Sequence, residues 1–293
     1  MRNIKKILCF TLLISMLLLI SCSSKNSSNS ATNNLSNSEN SQNISSSLTN
    51  DDESFARETY GYEQELLDKI IENGEITIAM EGTWSPWTYH EDENNVLVGY
   101  DVEIGEEIAK RLGVNANFVE GEWDGLLAGL SADRYDIMIN GVDITDERKE
   151  AYDFTKPYAY IKTAIIVNED NDSIKSFEDL KGKKTANTIT STYAEIAEKY
   201  GASVSGVDDL YQTIDLLLQN RIDATLNSEV TFYDYKNTHP GEDIKIAALS
   251  KNANEIGIPI RKGNKSLLDK LNSILDDMRE DGTLAKLSNK YFN

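Results

Sequence analysis

The chain has 293 residues, 29 Lys and Arg against 49 Asp and Glu, a net charge of −20, and two cysteines. This length fits one large domain or two small ones, and 40% apolar with 27% charged residues fits a folded protein. Such an acidic balance argues against nucleic acid and against anionic lipid headgroups as partners, because both need clustered Lys and Arg.

Residues 1–21 read as a secretory leader. Arg2, Lys5 and Lys6 precede an apolar run from Ile7 to Ile20 that is short for a membrane span. The run ends in Leu19-Ile20-Ser21-Cys22, which resembles a bacterial lipobox. That resemblance implies a leader cleaved before Cys22, and a Cys22 acylated on sulfur as the new N-terminus. Cys9 leaves with the leader, so no disulfide framework is expected. Loss of Arg2, Lys5 and Lys6 takes the net charge from −20 to −23. Residues 23–50 contain 11 Ser and 8 Asn and no aromatic residue. They cannot bury enough apolar surface to offset their ordering entropy, so residues 22–58 are expected to be a flexible tether.

An α/β rhythm follows. Helical spacing in Tyr62–Asn73 stops at Gly74, and Glu75–Met80 alternates like a strand. Leu97–Tyr100 leads into a helix over Val102–Leu112, closed by Gly113. Val114–Val119 reads as a strand, Trp123–Leu130 as a short helix and Asp136–Asn140 as a strand. Thr155–Ala164 has no helical period and suits an extended crossing between two lobes; Ala164–Val167 is a buried-type strand. Ser176 heads a capping box that starts a helix closed by Gly182. Strands at Lys184–Thr188, Ala224–Leu226 and Ile256–Pro259 interleave with helices at Thr192–Tyr200, Leu210–Leu218 and Leu267–Arg279. Asp281-Gly282-Thr283 turns into a last helix ending near Phe292. Alternating strands and helices make parallel sheet the default.

Three runs carry chemistry: Gly121-Glu-Trp-Asp-Gly-Leu-Leu-Ala-Gly-Leu130, Tyr135-Asp-Ile-Met-Ile-Asn-Gly-Val-Asp-Ile-Thr-Asp-Glu-Arg148, and Tyr152-Asp-Phe-Thr-Lys-Pro-Tyr158. With Val98-Gly-Tyr-Asp-Val102, Leu180-Lys-Gly-Lys183, Asn220-Arg-Ile-Asp-Ala224 and Asp281-Gly-Thr-Leu284, they closely resemble the extracellular solute-binding proteins, family 3, of polar amino-acid ABC importers. The resemblance covers roughly residues 75–293. It implies a two-lobed α/β periplasmic-binding-protein (Venus-flytrap) fold of type II with two hinge crossings. Lobe 1 would comprise residues 59–163 and 253–293, and lobe 2 residues 164–252. It further implies a lipid-anchored, extracytoplasmic, monomeric protein that delivers an amino acid to a membrane permease. No cofactor, metal or catalytic residue is implied.

A desolvated amino acid needs partners for both its carboxylate and its ammonium. Arg148 matches the family's carboxylate-binding Arg, and Thr190, Ser191 and Thr192 match the second-lobe segment that closes over that group. The residues alone also allow an exposed surface Arg148 and simple N-capping by Ser191 or Thr192. On the ammonium side the sequence departs from the common pattern. Asp143 stands where a small hydroxyl residue is usual, and Ser228 where an Asp is common. Asp143, helped by Glu229, is therefore the expected counter-ion; capping the turn before Arg148, or pairing with it, is the alternative. Asn140 and Gly141 belong to the same segment. Trp84 sits where an aromatic ring stacks on the ligand, Trp123 lies in a cleft-facing segment, and Glu81 at the pocket edge can read a ligand side chain. A solvated loop charge is the bland alternative for Glu81. The Asn140-Gly-Val-Asp143 version with two tryptophans leans toward cystine or a similar large polar amino acid, with a basic amino acid as the alternative. A dehydratase-like enzyme on the same fold is the least favoured reading, because His90 and His239 lie in loop-like stretches.

Overall fold

The computed structural model describes residues 65–91 and 94–293. The leader, Cys22 and the Ser/Asn-rich tether lie outside the described residues. The described residues from 65 to 293 belong to one compact unit, built on two groups of sheets.

The first group centres on a five-stranded sheet. Glu75–Met80 pairs in parallel with Asn115–Glu120 on one side and Ile137–Met138 on the other. Pro259–Arg261 then joins Ile137–Met138, and Tyr152–Phe154 joins Pro259–Arg261, both antiparallel. Ile76, Ile78, Ala79 and Met80 are all buried, as expected of a central strand covered on both faces. The Tyr100–Leu112, Lys265–Glu280 and Thr283–Phe292 helices pack into the same core. A small antiparallel sheet of Thr83–Trp84, Thr88–Glu91 and Val96–Val98 carries the tryptophan segment.

The second group is built on Thr163–Asn168, which pairs antiparallel with Thr225–Ser228 and Ile244–Leu249. Lys184–Asn187 pairs in parallel with Ser203–Gly206. A single parallel bridge from Thr185 to Ala224 links the two pairs. Between the groups, Ala159–Ile161 and Asn254–Ile256 run side by side and antiparallel. This strand pair lies where the sequence suggested an extended crossing.

Several expectations are corrected. The sheets are mixed rather than parallel throughout, because the chain crosses between the groups twice and returns in the opposite sense. Tyr100–Leu112 begins two residues earlier than the spacing suggested, behind Gly99 at φ 135°. The Ser176 capping box is present, but it starts only one 3-10 turn, Phe177–Leu180. The strand read over Asp136–Asn140 pairs only at Ile137–Met138, because Gly141 at φ 54° turns the chain away. Ile256–Pro259 divides between two sheets at Gly257, whose N–H donates to the Val142 carbonyl (3.0 Å). The Asp146–Ala151 and Glu229–Thr238 helices had no sequence signal of period. Both are started by a side-chain cap, from Thr145 and Ser228 respectively.

Candidate functional site

Three helices of the second group begin at one place. Ser191, Asp209 and Ser228 cap the Thr192–Lys199, Leu210–Leu218 and Glu229–Thr238 helices by accepting from Ala194, Gln212 and Thr231 N–H groups (3.2, 2.9 and 3.2 Å). Each follows a strand or loop at the edge facing the first group, the usual ligand position in open α/β sheets. Here they meet the turn after Glu75–Met80 and the start of the Trp123–Ser131 helix. Together they line a narrow cleft with about 60 Å³ of free interior space. Its walls include Glu81, Trp84, Trp123 and Gly141 from one side, and Asn187, Ser191, Thr192, Tyr193, Asp209 and Asn227 from the other.

Glu81 is clamped by Asn140. The Glu81 N–H donates to Asn140 Oδ1 (2.8 Å), and Asn140 Nδ2 donates to Glu81 Oε2 (2.6 Å). Burial pushes the Glu81 carboxyl up to about 7; the Asn140 hydrogen bond opposes this, and the negative charges of Asp209 and Asp124 add to it. Two carboxylates, Glu81 and Asp209, thus face the cleft from opposite walls, a setting that favours a cation.

Gly141 is held from behind. Its N–H donates to Asp101 Oδ2 (2.6 Å), whose other oxygen accepts from Tyr158 Oη (2.8 Å). Asp101 is fully buried, and burial raises its carboxyl to about 7 against those two hydrogen bonds. Trp84 lies over Gly141: a Cβ there would meet Trp84 Cζ3 at 2.6 Å. Trp84 stacks on the buried Trp87 with centroids 5.2 Å apart.

Side chains cross the cleft and close it. Trp84 Nε1 donates to Asn227 Oδ1 (3.2 Å), and Trp87 Nε1 to Ser228 Oγ (3.4 Å). Thr192 Oγ1 donates to Asp143 Oδ2. Thr190 donates through its N–H and its Oγ1 to Asp124 Oδ1 (3.2 and 2.7 Å). Arg148 is buried, with its guanidinium over the Trp123 ring (5.4 Å to the centroid). It donates to the carbonyls of Asp143 (3.1 Å) and Thr190 (3.3 Å), one on each side.

The predicted residues thus separate into sets. Glu81, Trp84, Trp123, Gly141, Ser191 and Thr192 line the cleft. Asn140 orients Glu81, and Ser228 receives Trp87. Arg148 and Thr190 stand together at its edge. Asp143 faces a second cavity with Thr192, Glu195 and Asn254. Burial raises its carboxyl, against the Thr192 hydrogen bond and the Arg148 charge. Glu229 is turned to the crossing, where its Oε1 accepts from the Lys162 N–H (3.3 Å); it is not among the lining residues. Sequence reasoning missed Asn187, Asp209 and Asn227. The first and last are buried strand residues in otherwise unremarkable runs, but Asp209 carried a readable signal as an N-cap before Leu210–Leu218.

Residues 76–293 match the family model of the bacterial extracellular solute-binding proteins, family 3. The L-cystine-binding protein TcyA of Bacillus subtilis is 38% identical, over 78% of this chain and 85% of that protein. Among solved structures, an ancestral arginine-binding protein bound to arginine superposes with a TM-score of 0.70 at 36% identity, covering 75% of this chain and 99% of that one. The unliganded open L-cystine solute receptor of Neisseria gonorrhoeae gives 0.53 at 38% identity, covering 77% and 96%. The lower score to an open receptor accords with the cross-cleft contacts that close this chain.

Proposed function

The chain belongs to family 3 of the bacterial extracellular solute-binding proteins, and we propose from that premise that it captures a polar amino acid in its cleft and delivers it to an ABC permease. One observation carries the reading. The helix starts at Thr192 and Leu210, whose dipoles favour an anion, line the same cleft as Glu81 and Asp209, which favour a cation. Adjacent sites of opposite preference suit a zwitterion.

In this reading Arg148 and the Ser191–Thr192 helix start take the carboxylate. That requires Arg148 to exchange the two carbonyls it now contacts, at 3.1 and 3.3 Å, for a stronger charge-assisted pair. Asp143 would serve the ammonium by exchanging Thr192 for it. Closure is then a population shift, driven by contacts that both lobes make to the ligand. Lobe 1 (59–163 and 253–293) and lobe 2 (164–252) close on the Ala159–Ile161 and Asn254–Ile256 strand pair. Cys22 is acylated after cleavage of residues 1–21, and residues 22–58 tether a monomer to the outer face of the cell membrane. Cystine is the favoured ligand, supported by cystine-binding proteins among the similar chains, such as those of Bacillus subtilis and Neisseria gonorrhoeae. A basic amino acid is the second reading, favoured by the two carboxylates, Glu81 and Asp209, that line the cleft. Nothing in this mechanism calls for catalysis.

Thermal-shift screening of the detergent-solubilised protein against the common amino acids and cystine tests it. A ligand at a hundred times its Kd adds about 2.7 kcal/mol. No shift with any amino acid refutes the reading. Cys22→Ser is expected to move the protein from the membrane fraction to the medium.

A further inference from the structure

Among the described residues, three buried side-chain polar atoms have no hydrogen-bond partner: Trp123 Nε1, Thr185 Oγ1 and Asn187 Oδ1. Two of the three belong to residues that line the cleft, one on each side. Trp123 is 8% exposed and Asn187 5%. A buried polar atom left unpaired costs about 1–3 kcal/mol, so two at one cleft call for a partner common to both. Their orientations are fixed independently of any ligand. Asn187 Nδ2 donates to the Leu226 carbonyl (2.7 Å) and Thr225 Oγ1 (3.3 Å), which assigns the amide and leaves its oxygen unpaired. The Trp123 ring is held under Arg148.

We propose that Trp123 Nε1 and Asn187 Oδ1 both contact the ligand, and that they select one whose bound polar end carries an acceptor and a donor together. The indole N–H only donates, and an amide oxygen only accepts. Arg148 stacks on the face of the indole, whereas the N–H projects from its edge, so these two donors address different positions. An arginine or lysine side chain offers donors alone; it satisfies Asn187 and leaves the Trp123 N–H unpaired. A second amino-acid head group, or a carboxamide, satisfies both. The cleft therefore favours a doubly zwitterionic or amide-bearing amino acid over a basic one. This rests on the amino-acid reading above and adds the two residues that choose within it.

The chain has three tryptophans, so the indole N–H region of a proton–nitrogen correlation spectrum should show three signals, and Trp123→Phe identifies one of them. Trp84 and Trp87 already have partners; the Trp123 signal is expected to move downfield most on adding L-cystine, and to exchange more slowly. Calorimetry of Trp123→Phe should show L-cystine affinity reduced roughly 5- to 100-fold, with L-arginine affinity changed much less. Unliganded stability should fall only by the lost ring volume and the weaker Arg148 contact, since no hydrogen bond is lost, and the cystine-against-arginine comparison is unaffected by that loss. Asn187→Asp and Asn187→Leu both lose the bond to Leu226, but only Asn187→Leu loses the acceptor, so Asn187→Asp should bind L-cystine at least tenfold more tightly. An unmoved signal, wild-type affinity in Trp123→Phe, or equal losses for cystine and arginine overturns the proposal while amino-acid binding stands. Failure of the wild-type protein to bind either amino acid overturns both.

Discussion

Replacing Gly141 by alanine tests the link between backbone shape and the cleft wall. Gly141 has φ 54°, and an added Cβ would lie 2.6 and 2.8 Å from Trp84 Cζ3 and Cη2. A left-handed L-residue costs about 1–2 kcal/mol, and forcing a methyl into a packed contact about 1–3 kcal/mol more. The indole cannot yield freely, because it stacks on Trp87 and donates to Asn227 across the cleft. Gly141→Ala should therefore lower unfolding free energy by about 2–5 kcal/mol, and the melting temperature by about 5–15 °C. Displacement of Trp84 also breaks one closing hydrogen bond, so ligand affinity should fall about tenfold. Denaturant unfolding and calorimetry on one preparation read both effects. Gly125→Ala is the control. That glycine lies in the Trp123–Ser131 helix, where an added Cβ meets nothing within 4 Å, and it should raise stability by about 0.5–1 kcal/mol. A Gly141→Ala protein within about 1 kcal/mol of wild type, with full affinity, would refute the argument.

The pH profile should carry the signature of Glu81. Its folded carboxyl is raised by burial from 4.5 to about 7, so the folded state keeps its proton longer than the unfolded state does. The associated stability is present below pH ~4.5 and is lost as pH rises to about 7. Glu81→Gln should remove up to about 3 kcal/mol of that loss, seen as a flatter unfolding profile across this window; an unchanged profile counts against a desolvated Glu81 carboxyl. Asp101 loses stability in the same direction and stays in both proteins. Asp124→Ala removes both bonds to Thr190 at the cleft edge. It should speed ligand release by up to about tenfold with little change in association rate, measured by stopped-flow fluorescence. Arg148→Lys keeps the charge but loses the fork that spans both sides, and should weaken amino-acid binding by at least about tenfold in calorimetry.

Much of this architecture was legible because local signals and burial agree. Glu75–Met80 and Leu210–Leu218 were bounded as they stand, since apolar spacing and end residues point the same way. Pairing direction was not legible, because Ile260 meets Ile137 across more than a hundred residues and only the double crossing decides its sense. The Glu229–Thr238 helix was hidden for a local reason: Val230, Thr231, Phe232, Tyr233 and Tyr235 favour strands by propensity, and the Ser228 cap with packing on Thr163–Asn168 overrides that preference.

The site divides in the same way. Arg148 and the Thr190–Thr192 segment were singled out through a run resembling a known family, and in the fold one turn and one helix start bring them together. Asn187, Asn227 and Asp209 reach the cleft through their position in the fold, and no spacing within one segment encodes that. Asp143 shows the consequence. Its sequence neighbour five residues on is Arg148, yet its carboxylate is taken by Thr192 from the other side and only its carbonyl meets the Arg. The charge read as a counter-ion for a ligand is thus a bolt between the two sheet groups. In the proposed reading, a ligand ammonium and that bolt compete for the same oxygens. An Asp143→Asn protein would keep an acceptor for Thr192 while losing the charge, and so separates the two roles: closure survives, and only the attraction for a cation is lost.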